Sequence, residues 1–201
     1  MRGSILLMAA LSSAPMLGQE PMVQVSRIWS DTVKRGDMVR EVRWLGTVRD
    51  RRTVDLHVAE TTVKDIRAGQ QVSIHIGKGK PVVGRVSQVY PSILNGMVPV
   101  TVKLGSTTPT PMKTGLSVDG TIVVGRLAGV IYVGRPAFAT DESEGTLFRI
   151  DNDNEHATRV RVLFGHASAN TIEIREGLRP GDRVILSDMR AFEGQSRIHL
   201  Q

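Results

Sequence analysis

No cysteine occurs among the 201 residues. That single absence excludes disulfides, thiolate zinc sites, a cysteine nucleophile and a lipid-modified N-terminal cysteine. Aromatic residues make up only 4%, which leaves no stacking platform of the kind that single-stranded nucleic acid or sugar binding uses. The sequence has no phosphate-cradling glycine loop ending in Lys-Ser/Thr, no Gly-x-Ser-x-Gly elbow and no His-Glu-x-x-His. Carboxylates are common in polar stretches, but no pair is spaced so that opposed pKa values could be argued. No catalytic residue, cofactor or metal ligand set is therefore expected.

The five histidines give no exception. His57 and His75 fall on the polar faces of two expected strands and could meet across a pair, but two imidazoles fall short of the three or four protein ligands that zinc sites supply. Asp151-Asn152-Asp153-Asn154-Glu155 has the composition of a calcium loop without the spaced glycine and distant glutamate of an EF-hand, so a solvated loop is expected.

Long apolar runs are also missing. Ile5 to Leu17 is interrupted by Ser12, Ser13 and Pro15, and it falls short of the roughly 20 apolar residues that a transmembrane helix needs. With Arg2 ahead of it and polar Gln19-Glu20 behind, residues 1–18 have the shape of an export signal or an N-terminal anchor. Either reading places the rest of the chain outside the cytoplasm.

What the chain does have is hydrophobic content, 40%, and 20 glycines recurring between short β-branched runs. The apolar period is two. Val54, Leu56 and Val58 alternate with Asp55 and His57; Val72, Ile74 and Ile76 alternate across residues 71–76. Val98, Val100, Val102 and Leu104 alternate with Thr101 and Lys103, and Val118 and Ile122 continue the pattern across residues 116–124. Such alternation predicts half-buried antiparallel strands. Residues 81–90 begin as a strand but lose parity between Val86 and Val89, which predicts a bulge. Asn95-Gly96 predicts a two-residue hairpin. A short helix is expected over 61–66, capped by Thr61 or Thr62 and leaving through Gly69. These strands suit a small closed barrel.

A composition change after Gly125 opens a second run of strand candidates: 130–134, 147–150, 158–164, 171–174 and 183–187. Arg179-Pro180-Gly181-Asp182 reads as a turn. The expected fold is all-β, a small antiparallel barrel over residues 47–125 and a second small β domain over 126–201. Residues 22–46 are strand-like, and the alternation alone does not say which lobe they join.

The formal charge is +6 and the isoelectric point about 10.2. Arginines are spread among apolar residues instead of forming a block, which argues against nucleic acid as the partner. Arg159 and Arg161 alternate with Val160 and Val162 and project from one outer strand face. Arg40 and Arg43, and the cluster Arg49, Arg51 and Arg52, add positive surface. Solubilising edge charge is one reading. The other is contact with an acidic protein surface or anionic headgroups, with Arg159, Arg161, Arg40 and Arg43 as candidate contact residues.

Val58-Ala59-Glu60 through Ile66, Ala68-Gly69-Gln70-Gln71-Val72, Gly84-Arg85-Val86, Tyr90-Pro91, Asn95-Gly96 and Gly115-Leu116-Ser117-Val118-Asp119-Gly120 resemble, in order and spacing, the β-barrel domain of HlyD/AcrA-like periplasmic adaptors (membrane fusion proteins). Ile172-Glu173-Ile174 and the stretch Gly177 to Ile185 look like that family's closing membrane-proximal segment. Asp31 to Val42 looks like its N-terminal strand pair, which folds back on the same lobe, so the resemblance assigns residues 22–46 to the membrane-proximal domain. It covers nearly everything after the leader. One departure stands out: Leu45-Gly46-Thr47-Val48 runs almost directly into residues 53–60. The family's lipoyl-like domain and α-helical hairpin are missing there, and with them the contact to an outer-membrane channel.

The resemblance implies a non-enzymatic periplasmic subunit, associated with the inner membrane. It would serve an ABC or proton-driven (RND-type) efflux transporter and assemble with copies of itself. Two alternatives stand beside it: a shortened relic whose lobes persist without a transport role, and a stand-alone ligand-binding barrel.

Overall fold

A computed structural model describes residues 21–105 and 112–201; the expected export signal over 1–18 lies outside the described residues. Thirteen strands form one connected, nearly all-antiparallel sheet system. They are β1 (Met22–Val23), β2 (Ser30–Thr32), β3 (Lys34–Asp50), β4 (Thr53–Ala59), β5 (Gln71–His75), β6 (Val82–Val89), β7 (Met97–Leu104), β8 (Ser117–Gly134), β9 (Glu144–Ile150), β10 (His156–Ala167), β11 (Thr171–Glu176), β12 (Arg183–Ile185) and β13 (Arg197–Leu200).

Six of them, in the order β8-β3-β4-β7-β6-β5, close into a barrel through the pairing of β5 back onto β8. The period-two pattern dictates the closure, because each strand turns its branched residues to one side. Val54, Leu56, Val58, Val72, Ile74, Val100, Val102 and Ile122 are all fully buried. Each such side chain stabilises the fold by about 1.5–3 kcal/mol relative to exposure. The interior is consequently packed with side chains. Two glycines shape it: a Cβ on Gly120 would lie 2.5 Å from both δ-carbons of Leu56, and one on Gly46 would overlap the Asp55 carbonyl oxygen. Leu56 therefore fills the space that two neighbouring strands leave by having no side chain.

The predicted turns form. Leu94 and Met97 exchange backbone hydrogen bonds around Asn95 (φ 51°) and Gly96 (φ 74°), a two-residue turn with both central residues left-handed. Asp182 N donates to Arg179 O across Pro180 and Gly181 (φ 97°). The bulge in β6 lies between Val86 and Gln88. The helix differs from expectation: α1 (Glu60–Val63) is a single turn that starts earlier, with Ala59 at its N-cap and no side-chain cap. Thr61 and Thr62 fall inside that turn, two and three residues past its N-cap, and the turn ends at Lys64 in right-handed backbone, so Gly69 (φ 91°) serves a later turn instead of the helix exit.

The second lobe gathers β9, β10, β11, β12, β13, β1 and β2 around the far half of β8. One core, including Val133, Leu147, Val162, Phe164, Ile172, Ile174 and Val184, packs on one face of β9 and β10. A smaller one, with Phe148, Ala157, Ile185, Ile198 and Leu200, covers part of the other face. Strand β9 runs from Glu144, three residues before the expected start, because its ladder to β10 continues through Glu144, Gly145 and Thr146, none of which is apolar enough to mark a strand. Leu147 and Phe148 are adjacent and both buried, which removes the alternation that would mark the strand.

The two lobes are not joined by a linker. Strand β8 is continuous through Gly125, where two separate strands were expected, and β3 pairs with it from Lys34↔Tyr132 to Thr47↔Ser117. Strand β3 runs from the strands outside the barrel into the barrel wall. The ladder slips between Arg40 and Glu41. There the Ser168 hydroxyl, from the turn between β10 and β11, donates to Val39 O at 2.9 Å and accepts from Glu41 N at 2.9 Å. Ser168 is buried, so this clamp replaces a broken part of the ladder with a contact between lobes.

Candidate interaction surfaces

Strand β10 carries Arg159 and Arg161 on its outer face, as the alternation predicts; both are exposed. Arg159 lies opposite Phe148 and Arg161 opposite Thr146 on β9. Phe148 belongs to the small outer core, so the two guanidinium groups stand beside an apolar floor. The side chain of Arg161 is 84% exposed, with Nη2 3.7 Å from Glu144 Oε2. An exposed pair of that length adds little stability and leaves the guanidinium available to a partner.

Beside it opens a groove of about 360 Å³, floored by Phe148, Leu147 and Ile185 and walled by Phe138 and Met189. Its charged rim includes Arg161, Glu144, Asp188 and Arg190. Phe138 is 46% exposed, a large apolar side chain turned toward solvent. The backbone of Trp29 is hydrogen-bonded to Leu186 and Ser187 at the groove edge, and its side chain is 61% exposed. Arg190 Nε donates to both Asp188 carboxylate oxygens, at 2.9 and 2.8 Å. That contact holds the Asp188 carboxyl below the usual carboxylate range and raises the arginine in turn. The groove thus combines an apolar floor, the exposed Phe138 and a charged rim.

Arg40 and Arg43 do not join this site. Arg40 is half-buried, its Nη2 3.3 Å from Asp65 Oδ2 just after α1, so it ties the barrel end to the helix segment. Arg43 is exposed on β3, with Thr121 opposite. The four arginines thus fall into an Arg159/Arg161 pair on the second lobe and two separate positions near the junction.

His57 and His75 do not meet. Strand β4 pairs with β3 and β7, whereas β5 pairs with β6 and β8; His57 faces Pro99 and His75 faces Asp119. No group of three or more metal-ligating side chains occurs among the described residues. The acidic tip after β9 is hydrogen-bonded into the lobe: Asp151 accepts from Thr158 Oγ1 and Arg197 Nε, and Asp153 Oδ2 lies 2.8 Å from His156 Nδ1. The His156 contact depresses the Asp153 carboxyl below its ordinary value.

On the barrel wall, Arg49 Nε donates to Asp55 Oδ2 at 2.7 Å, and Thr101 Oγ1 donates to Asp55 Oδ1 at 2.8 Å. Thr101, expected on a solvated face, is buried beneath this network. Tyr90 joins it: the Arg49 guanidinium, ahead of Thr101, pulls the phenol below its usual range, and Tyr90 in turn raises Arg49. The network laces four barrel strands from outside. The groove residues were missed in the sequence because Phe138, Phe148, Ile185 and Met189 are distant along the chain. Their one signal is that an aromatic-poor chain places Phe138 and Phe148 in the lining of one groove.

No protein-family profile matches the sequence, and no curated protein matches it. Among solved structures, MacA from Actinobacillus actinomycetemcomitans aligns with a TM-score of 0.43 and 15% identity, over 68% of this chain and 42% of MacA. ZneB from Cupriavidus metallidurans aligns with a TM-score of 0.34 and 17% identity, over 69% of this chain and 40% of ZneB. The chain thus aligns with about two fifths of each of these proteins.

Proposed function

We propose that the chain is a periplasmic adaptor subunit that docks on an inner-membrane efflux transporter and assembles with copies of itself. The observation that carries this reading is the passage of β3 and β8 through both lobes, with a partly apolar groove on one of them. Two long strands paired over that whole length make the lobes one mechanical unit. A displacement imposed at the groove is then transmitted to the barrel, which is what coupling without bond-making requires. The ordered motif series of the barrel supports the same reading. The work is divided between a barrel over 47–125, completed by the adjoining part of β3, and a second domain over 126–201 that shares β8 with it and presents Arg159 and Arg161 beside the groove.

Docking at such a site combines burial of the exposed Phe138 with a salt-dependent contribution from the arginines. The stand-alone ligand-binding barrel is disfavoured by the filled barrel interior, since a site there would require displacing fully buried side chains. Tagged protein pulled from detergent-solubilised membranes of its own cell is expected to retain an inner-membrane transporter at low salt and less of it at moderate salt. The double variant Arg159→Glu, Arg161→Glu should lose that partner. Recovery of the chain alone at both salts would favour the shortened relic.

A further inference from the structure

The second lobe carries a row of donor atoms that the docking groove does not use. Strands β10, β13 and β1 lie side by side, with His156 opposite His199 and His199 opposite Met22. The next pairs in the same ladders, Ala157 with Ile198 and Val23 with Leu200, turn into the small core. Alternation therefore sets His156, His199 and Met22 together on the face turned away from that core. The side chain of His156 is 23% exposed and Met22 is 66% exposed, so an ion in solution reaches both ends of the row.

The two imidazoles are arranged as a chelating pair. His156 Nδ1 lies 2.8 Å from Asp153 Oδ2; a carboxylate only accepts, so that nitrogen carries the hydrogen and Nε2 keeps its lone pair. His156 Nε2 and His199 Nδ1 are 3.4 Å apart, and the rings meet edge to face with centroids 5.0 Å apart. That separation is long for a hydrogen bond. Two nitrogens each about 2.0–2.1 Å from one trigonal or tetrahedral metal ion stand about 3.3–3.6 Å apart, so the pair has the bite of a chelate. A carboxylate behind a ligating imidazole fixes its tautomer and raises its basicity, which is the place Asp153 occupies. Arg197, two residues before His199 on the same strand face, is held by Asp151 and Asp153.

We infer that His156 Nε2, His199 Nδ1 and the Met22 sulfur bind a monovalent copper ion. Histidines and carboxylates alone make no metal-holding group of three among the described residues, and the thioether supplies the third donor. Neighbouring strands are about 4.8 Å apart, and three rotatable bonds let the Met22 sulfur swing toward His199. Thioether sulfur with imidazole selects Cu(I) over hard cations such as magnesium or calcium. Zinc is the competitor, since imidazole suits it too. Its usual donors are thiolate, imidazole and carboxylate, so at this row it would stop at two protein ligands, short of the usual three or four. His156 and His199 are 43 residues apart in the chain, so spacing in the sequence does not reveal the pair. The site is independent of the docking reading, because none of its residues lines the groove.

The test is anaerobic titration of the intact purified protein with Cu(I) in competition with bicinchoninate, and with Zn(II) in parallel. A Cu(I) equivalent should bind that His156→Gln or His199→Gln abolishes, with an unchanged circular-dichroism melt confirming the fold. Asp153→Asn should weaken it by about 10–100-fold, the range for a group behind a ligating imidazole. Met22→Leu, which keeps the bulk and removes the sulfur, should cost Cu(I) at least as much and leave any Zn(II) binding unchanged. Imidazole nitrogen NMR should show coordination at His156 Nε2 and His199 Nδ1. Arg159→Glu, Arg161→Glu should leave copper binding intact, which separates this inference from the docking groove. Absence of Cu(I) binding, binding that survives both histidine substitutions, tighter binding of Zn(II) than of Cu(I), or an unaltered Cu(I) affinity in Met22→Leu would overturn it.

Discussion

Replacing Gly120 with alanine probes how the barrel core is specified. The added methyl would stand 2.5 Å from both δ-carbons of Leu56 and 3.1 Å from its γ-carbon. Leu56 is fully buried among Val54, Val100, Val102 and Ile122, so it has no empty space to swing into. Overpacking of this kind costs about 1–3 kcal/mol, and Leu56→Ala alone should cost about 2–5 kcal/mol. Combined, the two changes should partly compensate, because the new methyl enters the space that the leucine vacates; a coupling of about 1–2 kcal/mol is expected, within the range for residues in contact. Gly46→Ala provides the contrast. Its methyl would meet the Asp55 carbonyl oxygen, a backbone atom fixed by the β3–β4 ladder, so trimming Leu56 should rescue it much less. Urea unfolding of the singles and doubles, read as midpoint shifts at constant slope, measures both cycles. Additivity at Gly120, or equal rescue at both glycines, would refute the reasoning.

Further expectations concern the junction and the surface networks. Ser168→Ala removes the hydroxyl that serves Val39 O and Glu41 N; it should cost about 1–3 kcal/mol and speed hydrogen exchange at the Glu41 amide, and unchanged exchange there would argue against an inter-lobe clamp. The Tyr90 phenol, held low by Arg49, should titrate below the usual value of about 10 and move up in Arg49→Met. Because the folded-state value is depressed, its stabilisation grows as pH rises through that value and is complete above the unfolded one; a titration midpoint unmoved by Arg49→Met would contradict the contact. Asp153, depressed by His156, should contribute stability present above the ordinary carboxylate range and lost as pH falls through its folded value. His156→Ala should raise the Asp153 midpoint in a carboxyl NMR titration, and an unchanged midpoint would place the cause elsewhere.

Strict alternation made the barrel legible: Val54, Leu56 and Val58, or Val98, Val100 and Val102, each have one buried face and one ordinary face. Asn95-Gly96 and Pro180-Gly181 were legible because left-handed backbone demands particular residues. Where both faces are buried or both exposed, the signal disappears. Glu144, Gly145 and Thr146 are not buried, so β9 looked shorter than it is. Residues 125–129 of β8 cross between the lobes, half-buried to exposed along their length, and no periodicity marks them as strand. Thr101 was read as solvated because nothing local reveals that Arg49, 52 residues away, lies over it. Of the candidate site, Arg159 and Arg161 could be placed on one face, but the groove beside them depends on contacts among β9, β12 and the segment after it, which only the fold brings together.

The most direct test of docking through the second lobe is site-specific photocrosslinking in the native membrane. A photoreactive residue in place of Phe138, in the groove wall, should capture an inner-membrane transporter, and the same residue in place of Arg179, on the exposed turn before β12, should not. Capture of the transporter from Arg179 but not from Phe138, or from neither, would contradict the account.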